Sequence, residues 1–332
     1  MSKSIYNRRS FLTLTGVALG AVAIAGCDTP AAAPGAAATA PGAKPYIAIV
    51  SKGFQHQFWQ AVKQGAEKAA AEFNVTITFE GPNTEADVDQ QIQMLTTALG
   101  KNPAAIGFAA LDSKAATPLL EQAKSKNIPI IAFDSGVDSD IPVGTASTDN
   151  KAAAGEAAKH LAGLIGNEGS IAIICHDQTS KSGVDRRDGF KDWIAANAPK
   201  IKIVDIQYAG GDQLKSTDAA KAIIAAHPEL KGMYGTNEGS AIGVVNAVNE
   251  LGLKDKLAIV GFDSGKAQLD AIRGGVMAGA ITQNPVGIGY ETVKAAVAAI
   301  NKQPVKKVIN TGFYWYDAKN IDSEQIKPNL YQ

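Results

Sequence analysis

Carboxylates, amides and aromatic residues stand just behind several short apolar runs of this sequence, a placement suited to binding hydroxyl groups. Ser51-Lys52-Gly53-Phe54-Gln55-His56-Gln57-Phe58-Trp59 follows the run Tyr46–Val50, and Asp134-Ser135 follows Phe133. Farther along come His176-Asp177, Gly211-Asp212, Asn237-Glu238, Asp263-Ser264 and Gln283-Asn284. An ionised Asp accepts hydrogen bonds from hydroxyls, an arginine donates, and Asn or Gln does both. Aromatic rings cover the C–H faces of a sugar ring. Phe58 and Trp59 open a helix on which neighbours point about 100° apart, so one of the two is expected to face a cleft and the other the core.

Signatures of covalent chemistry are missing. The chain has no Gly-x-Ser-x-Gly elbow, no His-Glu-x-x-His and no Gly-x-Gly-x-x-Gly behind its first apolar run. Gly261-Phe262-Asp263-Ser264-Gly265-Lys266 is one residue too short between its glycines for a phosphate loop and has no hydroxyl residue after the lysine. His56, His160, His176 and His227 share no metal-ligand spacing, and nothing places two carboxylates across a scissile bond. The expectation is a binding protein, not an enzyme, with no cofactor and no metal. Lys and Arg number 32, as do Asp and Glu, with no long run of one sign, which argues against a nucleic-acid surface.

These residues need elements that aim them at one place. Short runs rich in Ile, Val and Phe alternate with stretches of helical period, the pattern of an α/β fold with parallel sheets. Strands are expected at 46–50, 75–79, 104–109, 128–133 and 141–145, then at 170–175, 201–206, 232–235, 257–262 and 279–282. Phe58, Ala61, Val62, Gly65, Ala66, Ala69 and Phe73 share a face of the first helix, and further helices fit 86–99 and 114–126. A side-chain oxygen of Thr148-Asp149-Asn150 can cap the Ala-rich helix that follows, which runs to Ile165. The length suits two sheets of five or six strands better than one of eleven. In open parallel sheets ligands bind at the carboxyl ends of the strands, which is where the polar residues stand.

The amino-terminal segment says where such a protein works. Arg8-Arg9 precedes an apolar run of about 12 residues, roughly 18 Å of helix, too short to span a bilayer core of about 30 Å. The run ends at Ile24-Ala25-Gly26-Cys27, so residues 1–27 read as a twin-arginine export signal with a lipobox, leaving Cys27 as the lipidated amino terminus. Residues 28–44, nearly all Ala, Pro, Gly and Thr, read as a tether. Cys175 then has no partner for a disulfide, and its apolar neighbours predict a buried, inert thiol.

One series of motifs runs through the chain: Phe58-Trp59 with Gly65-Ala66, Asn127-Ile128-Pro129-Ile130 leading to Asp134, Thr148-Asp149-Asn150 and Arg186-Arg187-Asp188-Gly189-Phe190. It continues through Ala226-His227-Pro228, Asn237-Glu238, Val260-Gly261-Phe262-Asp263 and Gln283-Asn284-Pro285. In their order and spacing, from Tyr46 to about Pro304, the chain resembles the type I periplasmic sugar-binding proteins of ABC importers, of which ribose-binding protein is the familiar member. The resemblance implies Phe58 and Trp59 as aromatic walls, Asp134 as a hydroxyl acceptor, Arg186 as a donor, and Asn237, Asp263 and Gln283 completing the ring. Ser135, His56 and Gly211 depart from the ribose-binding pattern, which has arginine, asparagine and an aromatic residue there. Less bulk suggests a roomier site, for a hexose, deoxysugar or polyol as readily as for ribose. Lys52 lies where some relatives place a ligand lysine.

The implied molecule is a lipid-anchored, extracytoplasmic solute receptor, a monomer of type I periplasmic-binding-protein fold. It has two doubly wound lobes and a three-segment hinge, and delivers a monosaccharide or polyol to an ABC permease. One lobe comprises 45–147 plus 284–311, the other 148–283 plus 312–332, with crossings near 146–148, 283 and 310–313. The alternatives are a receptor for a nucleoside or furanose signal and, among enzymes, an exported glycosidase. A soluble repressor core shares the fold, but the export signal and the lack of a helix-turn-helix ahead of Tyr46 weigh against it.

Overall fold

A computed structural model describes residues 44–331. The export signal, Cys27 and nearly all of the tether lie outside the described residues. Five strands follow one another with helices between them: β1 (Tyr46–Val50), α1 (Gln57–Glu72), β2 (Thr76–Glu80), α2 (Val88–Gly100), β3 (Ala105–Phe108), α3 (Thr117–Ser125), β4 (Ile130–Phe133) and β5 (Gly144–Ser147). The same progression repeats through α4 (Asn150–Leu164), β6 (Gly169–Cys175), α5 (Lys181–Asn197), β7 (Ile201–Tyr208), α6 (Gln213–Ala226), β8 (Leu230–Gly235), α7 (Glu238–Glu250), β9 (Ala258–Phe262), α8 (Lys266–Arg273) and β10 (Gly279–Gln283). Then come α9 (Pro285–Ile300), β11 (Val308–Asn310) and β12 (Phe313–Asp317).

Two six-stranded sheets result, ordered β11-β5-β4-β3-β1-β2 and β12-β10-β9-β8-β6-β7. The chain therefore passes between the sheets after β5, after β10 and between β11 and β12. The crossing segments touch: Thr311 N donates to Ser147 O at 3.1 Å and Thr148 Oγ1 to Gly312 O at 3.3 Å. The first sheet is parallel throughout, whereas β12 runs antiparallel to β10 at the edge of the second.

Apolar residues on both faces of a strand need cover on both sides. In β1, Ile47 and Ile49 pack with α1 and α9, and Ala48 and Val50 with α2 and α3. The contact between α1 and α9 depends on glycine: a Cβ at Gly65 or at Gly289 would lie 1.9 Å from a backbone oxygen of the other helix. In the second half, Ile171, Ile173 and Cys175 face α4 and α5 while Ala172 and Ile174 face α6 and α7. Burial pushes the Cys175 thiol up to about 12, so it stays protonated.

The expected strand at 141–145 is displaced to Gly144–Ser147, because Pro142 has no amide to donate and pairing with β4 begins at Gly144. Neither β11 nor β12 was anticipated. Helices leaving the strand ends are capped from their own lead-in residues: Asp87, Asp149, Ser180, Asp212, Asn237 and Asn284 each accept a hydrogen bond from an amide of the first turn. The amino ends of α1 and α8 receive no such side-chain bond from His56 or Gly265.

Candidate functional site

The carboxyl ends of the two sheets face each other, and the polar strand-end residues converge there around one cavity. Lys52, His56, Phe58, Trp59, Glu85 and Asp134 line it from the first sheet's side. His176, Ser182, Arg186, Asn237, Asp263 and Gln283 line it from the second. Lys52, His56, Phe58, Trp59, Asp134, Arg186, Asn237, Asp263 and Gln283, all expected to meet ligand, are walls of this cavity, and of the expected ligand residues Ser135 is not. That residue is buried just outside it, where its Oγ accepts from Ser182 N at 3.3 Å.

Asp134 and Asp263 occupy equivalent places, one residue beyond β4 and one beyond β9. Both have left-handed backbone, with φ of 54° and 80°, unusual for residues other than glycine and common at functional sites. Each main-chain amide returns to the neighbouring strand, Asp134 N to Ala146 O at 2.9 Å and Asp263 N to Ile281 O at 2.6 Å. Their side chains differ. Asp263 Oδ1 accepts from Gln283 Nε2 at 2.7 Å and Oδ2 from Glu238 N at 2.9 Å, with Arg186 Nη1 3.9 Å away. The Asp134 carboxylate makes no hydrogen bond among the described residues, and burial pushes it up to about 6 against the pull of Lys52 and Arg186. It is a free acceptor aimed into the cavity.

Arg186 is held on every side. Its Nε donates to Asn150 Oδ1 at 2.7 Å, Nη1 donates to Thr236 O at 3.0 Å, and the guanidinium lies 3.8 Å from the centroid of the Phe262 ring. Lys52 reaches across to the second sheet's side, 3.3 Å from Ser180 Oγ, 3.4 Å from Ser182 Oγ and 3.6 Å from Asp177. Burial works against the charge of Asp177, but Lys52, His176 and bonds from Ser180 bring it down to about 2. Burial depresses His176 to about 3, so its imidazole is neutral, with Nδ1 2.8 Å from Thr236 Oγ1.

Both Phe58 and Trp59 line the cavity, contrary to the expectation that one would turn away. They sit in the first turn of α1, whose end points into the cleft, and their rings meet edge to face at 4.9 Å. The Trp59 indole N–H donates to Glu85 Oε1 at 2.7 Å. Glu85, buried and absent from the expected set, also accepts from Asn237 Nδ2 at 3.2 Å. Burial opposes its ionisation, but His56, Lys52 and the Trp59 bond together hold its carboxyl below the usual range. It follows β2, so the strand-end rule that picked out its neighbours applies to it too. Gln91, another buried residue not expected, ties strand ends together, with Nε2 on Ser51 O and Ala109 O and Oε1 accepting from Leu111 N.

The expected roominess is not found. The cavity holds about 20 Å³, space for about one water. A small residue at 211 does not open the site, because distant side chains fill the space. A Cβ on Gly211, whose φ is +68°, would lie 2.9 Å from Asn237 Nδ2, 3.1 Å from Glu85 Oε2 and 3.4 Å from His56 Nε2.

A family model described as "Periplasmic binding protein domain" matches residues 47–304. The chain belongs to the periplasmic binding protein family. The D-allose-binding periplasmic protein of Escherichia coli is 29% identical over 280 residues, which cover 80% of this chain and 90% of that protein. An ABC transporter solute-binding protein from Agrobacterium vitis, solved with bound D-fucose, superposes with a TM-score of 0.84 at 32% identity, covering 86% of this chain and all of that one. A carbohydrate transporter solute-binding protein from Agrobacterium radiobacter, in complex with D-arabinose, gives 0.84 at 31% identity, covering 87% and 99%. In this periplasmic binding protein, then, the convergent walls belong to a fold of which these two solved relatives hold D-fucose and D-arabinose.

Proposed function

We propose that this chain is an extracytoplasmic receptor that captures a neutral monosaccharide by closing two lobes around it and presents it to the permease of an ABC importer. The observation that carries this is the set of walls. Asp134, Asp263 and Glu85 supply acceptors, Arg186, Asn237 and Gln283 supply donors, and Phe58 and Trp59 supply rings, all drawn from both sheets. The buried Gln283 Oε1 has no hydrogen-bond partner among the described residues and is a further acceptor for a sugar hydroxyl. Glu85, Asp134 and Asp263 outnumber Lys52 and Arg186 among the lining charges, and Asp177 and Glu238 lie behind them. That balance favours a neutral sugar over a sugar acid or phosphate. The protein performs no chemistry on its ligand.

The lobes in this reading are 45–147 plus 284–311 and 148–283 plus 312–332, hinged where the chain crosses between sheets. The walls come from both sheets, so in this reading a sugar enters when they part and binding involves motion. Mixing with D-allose, D-fucose, D-arabinose or D-ribose at one hundred times the dissociation constant is expected to stabilise the protein by about 2.7 kcal/mol. The same sugar is expected to lower the radius of gyration in solution scattering and to change Trp59 fluorescence, with Trp59→Phe as control. D-Glucuronate and ribose 5-phosphate are expected to do neither. Stabilisation by the acidic sugars alone, or tight binding with an unchanged scattering profile, would refute the reading.

Export by the twin-arginine signal and anchoring through lipid on Cys27 complete the proposal, supported by Arg8-Arg9 and Gly26-Cys27. Cys27→Ser removes the acceptor thiol, and the protein is expected to move from the membrane to the soluble fraction. Retention on membranes in high salt with an uncleaved amino terminus would instead mark a hydrophobic anchor.

A further inference from the structure

α1 and α8 meet across the cleft, and each end is served by a side chain from the opposite half. Glu238, the first residue of α7, places Oε1 3.2 Å from Gln57 N and Oε2 3.3 Å from Phe58 N, the first two amides of α1. In return Gln57 Oε1 accepts from Lys266 N, the first amide of α8, at 2.7 Å. Gly265 leaves room for the exchange, since a Cβ there would lie 2.8 Å from Glu238 Oε1 and 3.1 Å from Gln57 Oε1.

We infer that Glu238 and Gln57 form a reciprocal latch, each capping a helix of the other lobe, which exists only when the lobes are closed and sets how long the closed form lasts. The inference rests on the reading that the lobes open and close. Opening would strip both helix ends of their caps and return the Glu238 carboxylate to water. A carboxylate at a helix amino end gains from both the free amides and the helix dipole. The latch also bears on the ligand site without touching ligand. Its amides belong to the turn that carries Phe58 and Trp59, and the backbone N–H of Glu238 is one of the bonds that hold Asp263. Glu238 and Gln57 are thus positioning residues.

The test reads closure itself. Ser113 N donates to Thr179 O at 3.1 Å across the cleft, so Ser113→Cys with Thr179→Cys brings two thiols together only in the closed form. The rate of oxidative cross-linking, with and without D-fucose or D-allose, then reports the closed population. Glu238→Ala and Gln57→Ala are each expected to slow it about fivefold, the effect of one lost helix cap. Glu238→Gln, which keeps one of the two acceptor oxygens, is expected to recover part of the rate, a rescue that a general loss of stability would not give. Cross-linking at an unchanged rate in both alanine variants would overturn the latch while leaving lobe closure intact. No cross-linking in any background, sugar present or absent, would overturn closure and the latch together.

Discussion

Arg186→Met is expected to lose monosaccharide binding by at least a hundredfold in calorimetric titration and to lower the melting temperature of the sugar-free protein as well. The guanidinium is buried and satisfied by Asn150, Thr236 and the face of Phe262, so its removal leaves a carbonyl and an amide oxygen without their donor. It also leaves the Asp263 carboxylate buried without its nearest cation. Breaking a buried pair by deleting one member costs about 3–5 kcal/mol, which exceeds the roughly 2.8 kcal/mol of a hundredfold change in affinity. Arg186→Lys is not expected to rescue it, because an ammonium is a point charge and cannot span Asn150 and Thr236 while lying flat on a ring. Binding by the Met variant within tenfold of the parent would remove Arg186 from the site.

Asp134→Asn is expected to do two opposite things: weaken sugar binding at least tenfold and make the sugar-free protein more stable at pH 8. Asparagine tolerates left-handed backbone, so the substitution tests charge and not conformation. The folded carboxyl titrates at about 6 against an ordinary 3.8, raised by burial. A raised carboxyl favours the fold fully below its ordinary value and loses that contribution as pH climbs through about 6. Above pH 6 the ionised, unbonded carboxylate therefore costs up to about 3 kcal/mol, which the neutral amide avoids. The gain in melting temperature is expected at pH 8 and is expected to vanish at pH 4. An equal gain at both values, or none at pH 8, would show that Asp134 carries no such burden. Function held in place at the expense of stability is the usual state of a binding site.

Much of this site was legible because one rule, polar residues behind parallel strands, applies to every strand alike. Asp134, Asn237, Asp263 and Gln283 come from that rule. Glu85 obeys it as well but stands five residues beyond β2, a strand whose alternation Thr76-Ile77-Thr78-Phe79 does not announce a ligand end. Glu238 was visible as a strand-end residue, yet its partners Gln57 and Phe58 lie about 180 positions away, a relation that no local spacing encodes. The crowding around Gly211 has the same origin, since the groups that fill its space arrive from Glu85 and His56. β11 was missed because three residues, Val308–Asn310, are too short a run to show a period. Local chemistry was readable, and the meeting of distant segments was not.

The mutual embrace of Gly65 and Gly289 has a consequence for how the protein is made. α1 is among the first elements to leave the ribosome, but the backbone it packs against, at Val286 and Gly289, comes more than 200 residues later. The second sheet, by contrast, draws β6 to β10 from one uninterrupted stretch. Five of its six strands are thus made before α9, and β12 joins its edge last. The earlier-encoded half must wait, with the Ile47 and Ile49 face of β1 covered by α1 alone, until α9 and β11 return to cover and extend its sheet, and long waits of this kind slow folding and invite aggregation.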